Sequence, residues 1–538
     1  MMKPPNSRTF FELLAEQAER APHAEFIVAD ARRHAYRDVH RMAAILASGL
    51  RDRGLARGDR IALLCDNRIE WIEVFFAAAA LGVSVVPFST WSTVDELEFL
   101  IADSRVRLLF SIERFASQTF VEPVAALRAS GRAPNLEALI TIDGPAREGI
   151  ETLAGWRAHT PLDARVAGAS ARDEAMVLYT SGSSSRPKSV PLLHFAAIEN
   201  GFNIGERQGQ RPDDRTLVSV PLFWAYGAVN ALPVVLSHGG AMVLQSAFEP
   251  GGALDLIERE RCTAIYTLPA MTNALLAHPS FAAARTRSLR TGVTIGAPQD
   301  LVNAASRLGA AEICNIYGGT EGYGNCCVTP HDWPLDRRAA CQGPPLPGVT
   351  VRIMQPETDV PCAPGEIGDI QVSGYLTPGY DGHSAQHNVD AFTADGFFRT
   401  GDLGSIGEDG AIRFAGRSSE MIKRSGINVS PAEVEEALLR DPAVALAAVT
   451  GAADAGRDEI IVAFLIPKPD QTIDVDAVRA LCRQRLSRYK VPDRIFVTDR
   501  LPLTVTGKLM RRELRQIAAD RLAAAPAASP DAARPDAA

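Results

Sequence analysis

Met176-Val177-Leu178-Tyr179-Thr180-Ser181-Gly182-Ser183-Ser184-Ser185-Arg186-Pro187-Lys188-Ser189-Val190 runs from an apolar strand pattern into small, hydroxylic and cationic residues, then back into Val190-Pro191-Leu192-Leu193. A polyphosphate needs backbone N–H groups, hydroxyl donors and a mobile cation around it. Gly182 lets the backbone come close, Thr180, Ser181, Ser183, Ser184 and Ser185 bring hydroxyls, and Lys188 carries a compact charge on a long stem. The spacing from Gly182 to Lys188-Ser189 nearly meets the P-loop pattern, but Pro187 stands where the second glycine would be. Proline offers no N–H and fixes its own φ, which spoils the nest of donors in a true P-loop. A different nucleotide-binding loop is expected; alone, the stretch also reads as a Ser-rich solvated turn.

Outward from this loop, helix and strand patterns alternate. Phe75-Phe76-Ala77-Ala78-Ala79-Ala80-Leu81 ends on Gly82 as a helix C-cap, and Val83-Ser84-Val85-Val86-Pro87 follows as a buried strand. Similar units run from residues 254–264 into a strand at 265–268, and from 301–311 into 313–316. This alternation predicts an α/β fold with mainly parallel sheets. Short strands at 349–354, 368–372 and 412–414, set among Pro and Gly, predict a small antiparallel or barrel-like part. Beyond Arg417 the pattern becomes compact α+β, and from 521 onward Ala, Pro, Asp, Ser and Arg cannot bury enough surface to fold, which predicts a disordered tail.

Length and composition bound the rest. The 538 residues are enough for about three or four folding units, and 46% hydrophobic with 22% charged residues is ordinary globular usage. A net charge of −8 argues against nucleic acid as the main partner, though it leaves a small anionic ligand open. Lys3, Arg8, Glu12, Glu16, Glu19 and Arg20 fall where a signal peptide needs an apolar core, and no run approaches the roughly 18 apolar residues of a membrane span. A cytosolic protein without a membrane span is expected. The eight cysteines, at 65, 262, 314, 326, 327, 341, 362 and 482, form no C-x-x-C pair and have no His at metal spacing, so neither a disulfide nor a structural zinc is predicted. Adjacent Cys326-Cys327 reads as two buried small hydrophobes.

Four further stretches carry chemistry. Tyr317-Gly318-Gly319-Thr320-Glu321 follows the strand pattern of Asn315-Ile316, where open α/β sheets bind ligands, though it also reads as a glycine turn with a capping Thr. Thr400-Gly401-Asp402 is compatible with a plain turn. Gly416-Arg417-Ser418-Ser419-Glu420-Met421-Ile422-Lys423-Arg424-Ser425-Gly426-Ile427-Asn428-Val429 leads into Ser430-Pro431-Ala432-Glu433, which reads as N-cap, proline at the first helical position and acidic capping-box partner. Leu503-Thr504-Val505-Thr506-Gly507-Lys508 ends on a lysine that by itself is a solvated loop charge.

These five motifs, in this order and over residues 10–520, resemble the adenylate-forming superfamily of acyl-CoA synthetases, adenylation domains and luciferases. The usual first loop there is Y-T-S-G-S-T-G-x-P-K-G, from which the chain departs at Ser184, Ser185 and Ser189. The resemblance implies an α/β fold: a large N-terminal adenylation domain over 1–416, with parallel sheets and the barrel-like part, and a hinge at 417–419. A small mobile α+β C-terminal lid at 420–520 and the tail at 521–538 follow. Ser419 stands where the family commonly carries an Asp or Lys hinge. Thr180, Ser181, Gly182, Ser183 and Lys188 are implied to grip the phosphates of ATP, Tyr317 and Gly318 to flank the adenine, and Thr320 to contact the α-phosphate. Glu321 is implied to hold Mg²⁺, Asp402 to accept hydrogen bonds from the ribose diol, and Arg417 to reach ribose and phosphate. Lys423 is implied to face the adenylate, Gly426 to line the path of the coenzyme A pantetheine arm, and Lys508 to stabilise charge developing at the α-phosphate. Thr180, Glu321 and Lys508 are the catalytic set.

The implied activity is an ATP-dependent carboxylate–CoA ligase that makes an acyl adenylate and then a thioester. Its partners would be a small-molecule carboxylic acid, ATP, Mg²⁺ and coenzyme A. In Pro221-Leu222-Phe223-Trp224-Ala225-Tyr226-Gly227-Ala228-Val229-Asn230-Ala231, Trp224 stands where many fatty-acyl and coumaroyl members carry His, and the stretch is similar to that of benzoate–CoA ligases. With Trp224, Tyr226 and Gly296 lining the acyl site, an aromatic, alicyclic or short-to-medium acid is expected, unless Trp224 is only packing or a gate. Other readings stay open: a medium- or long-chain fatty-acyl ligase, an adenylating enzyme that loads a carrier-protein thiol, an inactive nucleotide-binding member, and luciferase-like oxidation.

Overall fold

Ile69–Leu81 forms the helix that the apolar run predicts, and Gly82 closes it with φ 70°, its N–H donating to the Ala78 carbonyl. The strand Ser84–Phe88 follows, buried throughout. Apart from Glu70 and the buried Glu73, which Arg157 pairs, the helix is apolar because it is enclosed; Tyr36–Asp52 packs along it and Phe10 meets Phe75 edge to face at 4.9 Å. The computed structural model describes residues 3–30, 32–162, 168–180, 187–356, 358, 360–424, 427–454, 458–486, 488–503 and 509–524.

The chain divides into two compact units, one of Met1–Arg352, Gln371–Thr400 and Ile406–Arg413, the other of Ile353–Ile370, Gly401–Ser405 and Phe414–Ala538. Two sheets dominate the first. One has seven strands in the order Lys188–Leu193, Glu174–Thr180, Ser84–Phe88, Arg60–Leu64, Leu108–Ser111, Ala138–Thr141, Ile150–Thr152, parallel except for the first pair. The other has eight, in the order Cys327–Val328, Cys314–Tyr317, Thr291–Thr294, Ala264–Tyr266, Arg215–Val218, Ala241–Leu244, Glu25–Ala29, Arg32–Ala35; only the outermost pairs are antiparallel. The mainly parallel α/β expectation holds.

Two helix boundaries lie earlier than the sequence reading placed them. Pro250–Glu260 precedes Ala264–Tyr266, and Pro298–Val302 opens the helical stretch before Cys314–Tyr317. In both, proline occupies the first helical turn, where its missing N–H costs nothing, and the Glu249 carboxylate accepts the Gly251 N–H at 2.8 Å. That start signal outweighs the periodicity that began at Leu254. The short strands expected at 349–354, 368–372 and 412–414 are Thr350–Met354, Gly368–Ser373 and Ile412–Arg417; they form one four-stranded sheet with Phe398–Ile406, so Thr400-Gly401-Asp402 lies in a strand and not in a plain turn.

In the second unit, the strands Ile427–Val429, Ile422–Arg424, Asp458–Pro467 and Val444–Asp454 lie in that order, with Arg494–Val497 parallel to Asp458–Pro467. Helices Pro431–Leu438, Val475–Arg485 and Arg511–Ala524 complete an α+β unit around Ile422, Val429, Val434, Leu438 and Ile461. The last helix continues past 521 to Ala524; the rest of the expected tail lies outside the described residues. The Ser430 capping box is corrected. Ser430 is the N-cap and Pro431 the first helical residue, but the serine hydroxyl donates to the Ala415 carbonyl and Glu433 pairs with Lys490 at 2.6 Å, so tertiary partners win over the local cap.

All eight cysteines are free thiols and all but Cys362 are buried; Cys326 and Cys327 are packed side by side, Sγ to Sγ 3.9 Å. Among the described residues, no helix is long and apolar enough to cross a membrane.

His194, which begins the helix His194–Gln208, is wholly buried, and its Nδ1 accepts the Phe10 N–H at 3.3 Å. Burial drives its pKa down to about 4, against about 6.5 in an unfolded chain. The neutral ring therefore contributes stability that is fully present above pH 6.5 and is lost as the pH falls towards 4, on the order of 3 kcal/mol in total. Denaturant titrations of the wild type and His194→Leu across pH 7 to 4 should show a flatter pH dependence in the variant; equal slopes would contradict the buried-neutral assignment.

Candidate active site

Glu174–Thr180 and Lys188–Leu193 are the arms of one antiparallel hairpin, whose register pairs Thr180 with Lys188 and Tyr179 with Ser189. A hydroxyl and an ammonium thus face each other at its mouth. Ser181, Gly182 and Ser183, with Ser184 and Ser185, lie outside the described residues. The arm that reaches Thr180 is held by the Tyr179 hydroxyl, which donates to Asp103 Oδ2 at 2.7 Å. Burial, with that carboxylate beside it, pushes the Tyr179 pKa up, so the hydroxyl remains a donor.

The strand Cys314–Tyr317 ends in a turn that only glycine can enter. A Cβ on Gly318 would stand 2.4 Å from the Gly324 carbonyl oxygen and 2.8 Å from the Cys326 nitrogen, both backbone. Thr320–Gly322 then makes one tight 3₁₀ turn, closed by Tyr323 at φ 58°. The buried Tyr323 hydroxyl accepts the Leu193 N–H at 2.9 Å, which joins this turn to the hairpin.

Glu321 and Lys188 converge on a residue the sequence reading did not single out. The Tyr380 hydroxyl donates to Glu321 Oε1 at 2.8 Å, and Lys188 Nζ lies 4.7 Å from the centre of the Tyr380 ring. The only signal in the sequence is an aromatic that follows the Pro/Gly-containing Tyr375-Leu376-Thr377-Pro378-Gly379. Mg²⁺ favours hard oxygen donors and keeps several waters or phosphate oxygens. The Glu321 carboxylate and the neighbouring Thr320 hydroxyl fit that preference. Among the described residues no three His, Cys, Asp or Glu side chains are grouped to hold a metal ion.

Trp224, Phe223 and Trp91 form an aromatic cluster: Trp91 meets Trp224 at 5.3 Å and Phe223 at 5.2 Å, both nearly edge to face. Trp224 is half-buried. Tyr226 opens the π-helical turn Tyr226–Ala231 and its hydroxyl donates to the Val293 carbonyl at 2.9 Å, so the hydroxyl proton is committed to the backbone. Burial raises its pKa. Val293 belongs to the strand Thr291–Thr294, and Gly296 follows that strand's carboxyl end, so Tyr226 and Gly296 are brought to the same strand end.

In the second unit, Asp402 is 6% exposed, and its carboxylate lies 2.9 Å from Nε of Arg417, which ends the strand Ile412–Arg417 half-exposed. Two motifs read separately therefore supply one ion pair. Lys423 pairs with Asn428 across a short hairpin; its N–H donates to Glu459 at 2.7 Å while its side chain is exposed. Arg424, paired with Asp493 at 2.7 Å, anchors that hairpin. Gly426 and Lys508 lie outside the described residues.

Comparison with known proteins places these features in context. The model of the AMP-binding enzyme family matches residues 14–380, and that of the AMP-binding enzyme C-terminal domain matches 433–508. A feruloyl-CoA synthase of Amycolatopsis sp is 34% identical over 510 residues, covering 93% of this chain and 97% of its own. An indoleacetate–CoA ligase of Aromatoleum aromaticum is 32% identical over 489 residues, covering 88% and 91%. Among solved structures, an anthranilate CoA ligase in complex with anthranoyl-AMP is similar with TM-score 0.86 at 26% identity, over 97% of this chain and 100% of that one. ATP-bound MatB from Rhodopseudomonas palustris gives 0.84 at 27% identity, over 95% and 99%.

Proposed function

Because the chain belongs to the AMP-binding enzyme family and is an AMP-forming acid–thiol ligase, we propose that it joins an aromatic or medium-chain carboxylic acid to coenzyme A. A carboxylate is a poor acyl donor because its leaving group would be oxide. Attack of its oxygen on the α-phosphorus of ATP breaks the bond to pyrophosphate and leaves an acyl adenylate. The thiol sulfur then attacks the acyl carbon, and AMP departs with the bonding pair.

In this reading Thr180 and Lys188 grip the phosphates, Glu321 and Thr320 hold Mg²⁺, and the Asp402–Arg417 pair receives the ribose. When bound, Mg²⁺ supplies neutralisation of the phosphate charge. Ser181, Gly182 and Ser183 complete the phosphate loop, Tyr317 and Gly318 flank the adenine, and Lys423 faces the adenylate. Gly426 lines the pantetheine path, and Lys508 opposes the charge of the first step.

The observation that supports the substrate class is the Trp91–Phe223–Trp224 cluster, whose aromatic surface suits a flat ring. The relatives named for feruloyl, indoleacetate and anthranilate groups point the same way. Eight free thiols fit a reducing, cytosolic setting.

Pyrophosphate release from ATP and Mg²⁺ should be measured against benzoate-like, arylacetic, hexanoic and palmitic acids, each without a thiol, with coenzyme A, and with a phosphopantetheinyl carrier protein. Aromatic and medium-chain acids are expected to give the highest kcat/KM, with acyl-CoA as product. Palmitate ahead of them would refute the substrate class; transfer to the carrier alone would refute coenzyme A as acceptor. Silence with every acid would refute the ligase itself.

A further inference from the structure

Tyr380 touches two opposite charges with two different parts of one side chain: its ring face meets Lys188 and its hydroxyl meets Glu321. Among the described residues, Lys188 and Glu321 form no ion pair with each other. We propose that Tyr380 is a positioning residue that holds Lys188 and Glu321 apart, so that neither charge is used up by the other before ATP binds. This rests on the assignment of both residues to the ATP site.

An ammonium and a carboxylate gathered around one neighbour in a partly desolvated site attract strongly, and their direct pair would cancel the cation meant for phosphate and the anion meant for metal. The tyrosine offers each a weaker substitute. The ring's negative face attracts the ammonium, and the hydroxyl supplies the carboxylate with a donor.

The ring is fixed independently of both charges. Tyr380 is 6% exposed; its N–H donates to Asn388 Oδ1 at 2.7 Å, and its carbonyl accepts from Asn388 Nδ2 at 2.9 Å. The same segment is tied to both partners' backbones. The Thr377 N–H donates to the Glu321 carbonyl at 2.7 Å and the Thr377 hydroxyl to the Pro191 carbonyl at 2.7 Å, while the Asp381 N–H donates to the Ser189 carbonyl at 3.2 Å. Residues 377–381 thus strap the strand that begins with Lys188 to the turn that carries Glu321.

Tyr380→Phe keeps the ring and removes the donor; Tyr380→Leu removes both. Binding of a non-hydrolysable ATP analogue should be measured by calorimetry for each in the wild-type and Lys188→Ala backgrounds, with the melting temperature confirming folding, alongside a crystal structure of Tyr380→Phe. The expected results are about tenfold weaker binding for Tyr380→Phe, a loss of less than about twofold once Lys188 is absent, and Lys188 paired with Glu321 in the crystal. Equal losses in both backgrounds, or no such pair, would overturn the proposal. If the wild type itself fails to bind the analogue, the ligase reading fails, and the Tyr380→Phe structure still decides whether Tyr380 separates the two charges.

Discussion

Lys508→Ala should slow adenylate formation by about 10²- to 10³-fold and leave thioester formation from supplied acyl adenylate within a few-fold of the wild type. The first step draws negative charge together as a carboxylate approaches the α-phosphate, and a cation placed there lowers the barrier because it requires no reorganisation at that moment. The second step has different needs: a neutral thioester replaces a mixed anhydride, and the thiol must reach the acyl carbon. We propose that the C-terminal unit presents Lys508 for the first reaction and Gly426 for the second. Pyrophosphate exchange would report the first step and synthetic acyl adenylate with coenzyme A the second. Equal losses in both assays would mean that Lys508 serves both steps in one arrangement.

Gly318→Ala should lower the melting temperature, destabilise the fold by about 1–3 kcal/mol and slow adenylation at least about tenfold. The added methyl would meet the Gly324 oxygen at 2.4 Å, Asn325 Cα at 2.7 Å and the Cys326 nitrogen at 2.8 Å. None of these is the end of a flexible side chain, so the backbone must move. It would move where the Cys326 N–H donates to the Tyr317 carbonyl at 2.9 Å, the bond that closes the turn carrying Thr320 and Glu321. Gly319→Ala is the control. Its φ of −149° suits any residue, and its nearest contact is Glu321 Oε2 at 3.4 Å, so its melting temperature should stay close to that of the wild type. If both variants melt alike, crowding at Gly318 is not what selects glycine there.

Local signals carried most of the architecture. Gly82 as a helix end, the buried strand after it, and the strand that runs up to Thr180 each depend on a few neighbouring residues whose conformational preferences agree with the fold. Where long-range partners decide, the sequence is mute. Nothing near Tyr380 announces that its ring will lie beneath Lys188, and nothing near Asp402 reveals Arg417 as its partner. Ser430 shows the competition directly: its local pattern writes a capping box, yet the Ala415 carbonyl takes its hydroxyl and Lys490 takes Glu433. Nor does anything near Tyr226 announce that the Val293 carbonyl takes its hydroxyl proton.

A protein that handles coenzyme A is exposed to thiol–disulfide exchange with its own substrate. Exchange requires a thiolate, and burial pushes the thiol pKa up at Cys65, Cys327, Cys341 and Cys482, and to about 12 at Cys262 and Cys314. Cys362, the one thiol near the surface, is pushed in the same direction by burial. In the folded chain these seven thiols are therefore poor nucleophiles towards oxidised coenzyme A, so unfolding is what would open them to exchange with it.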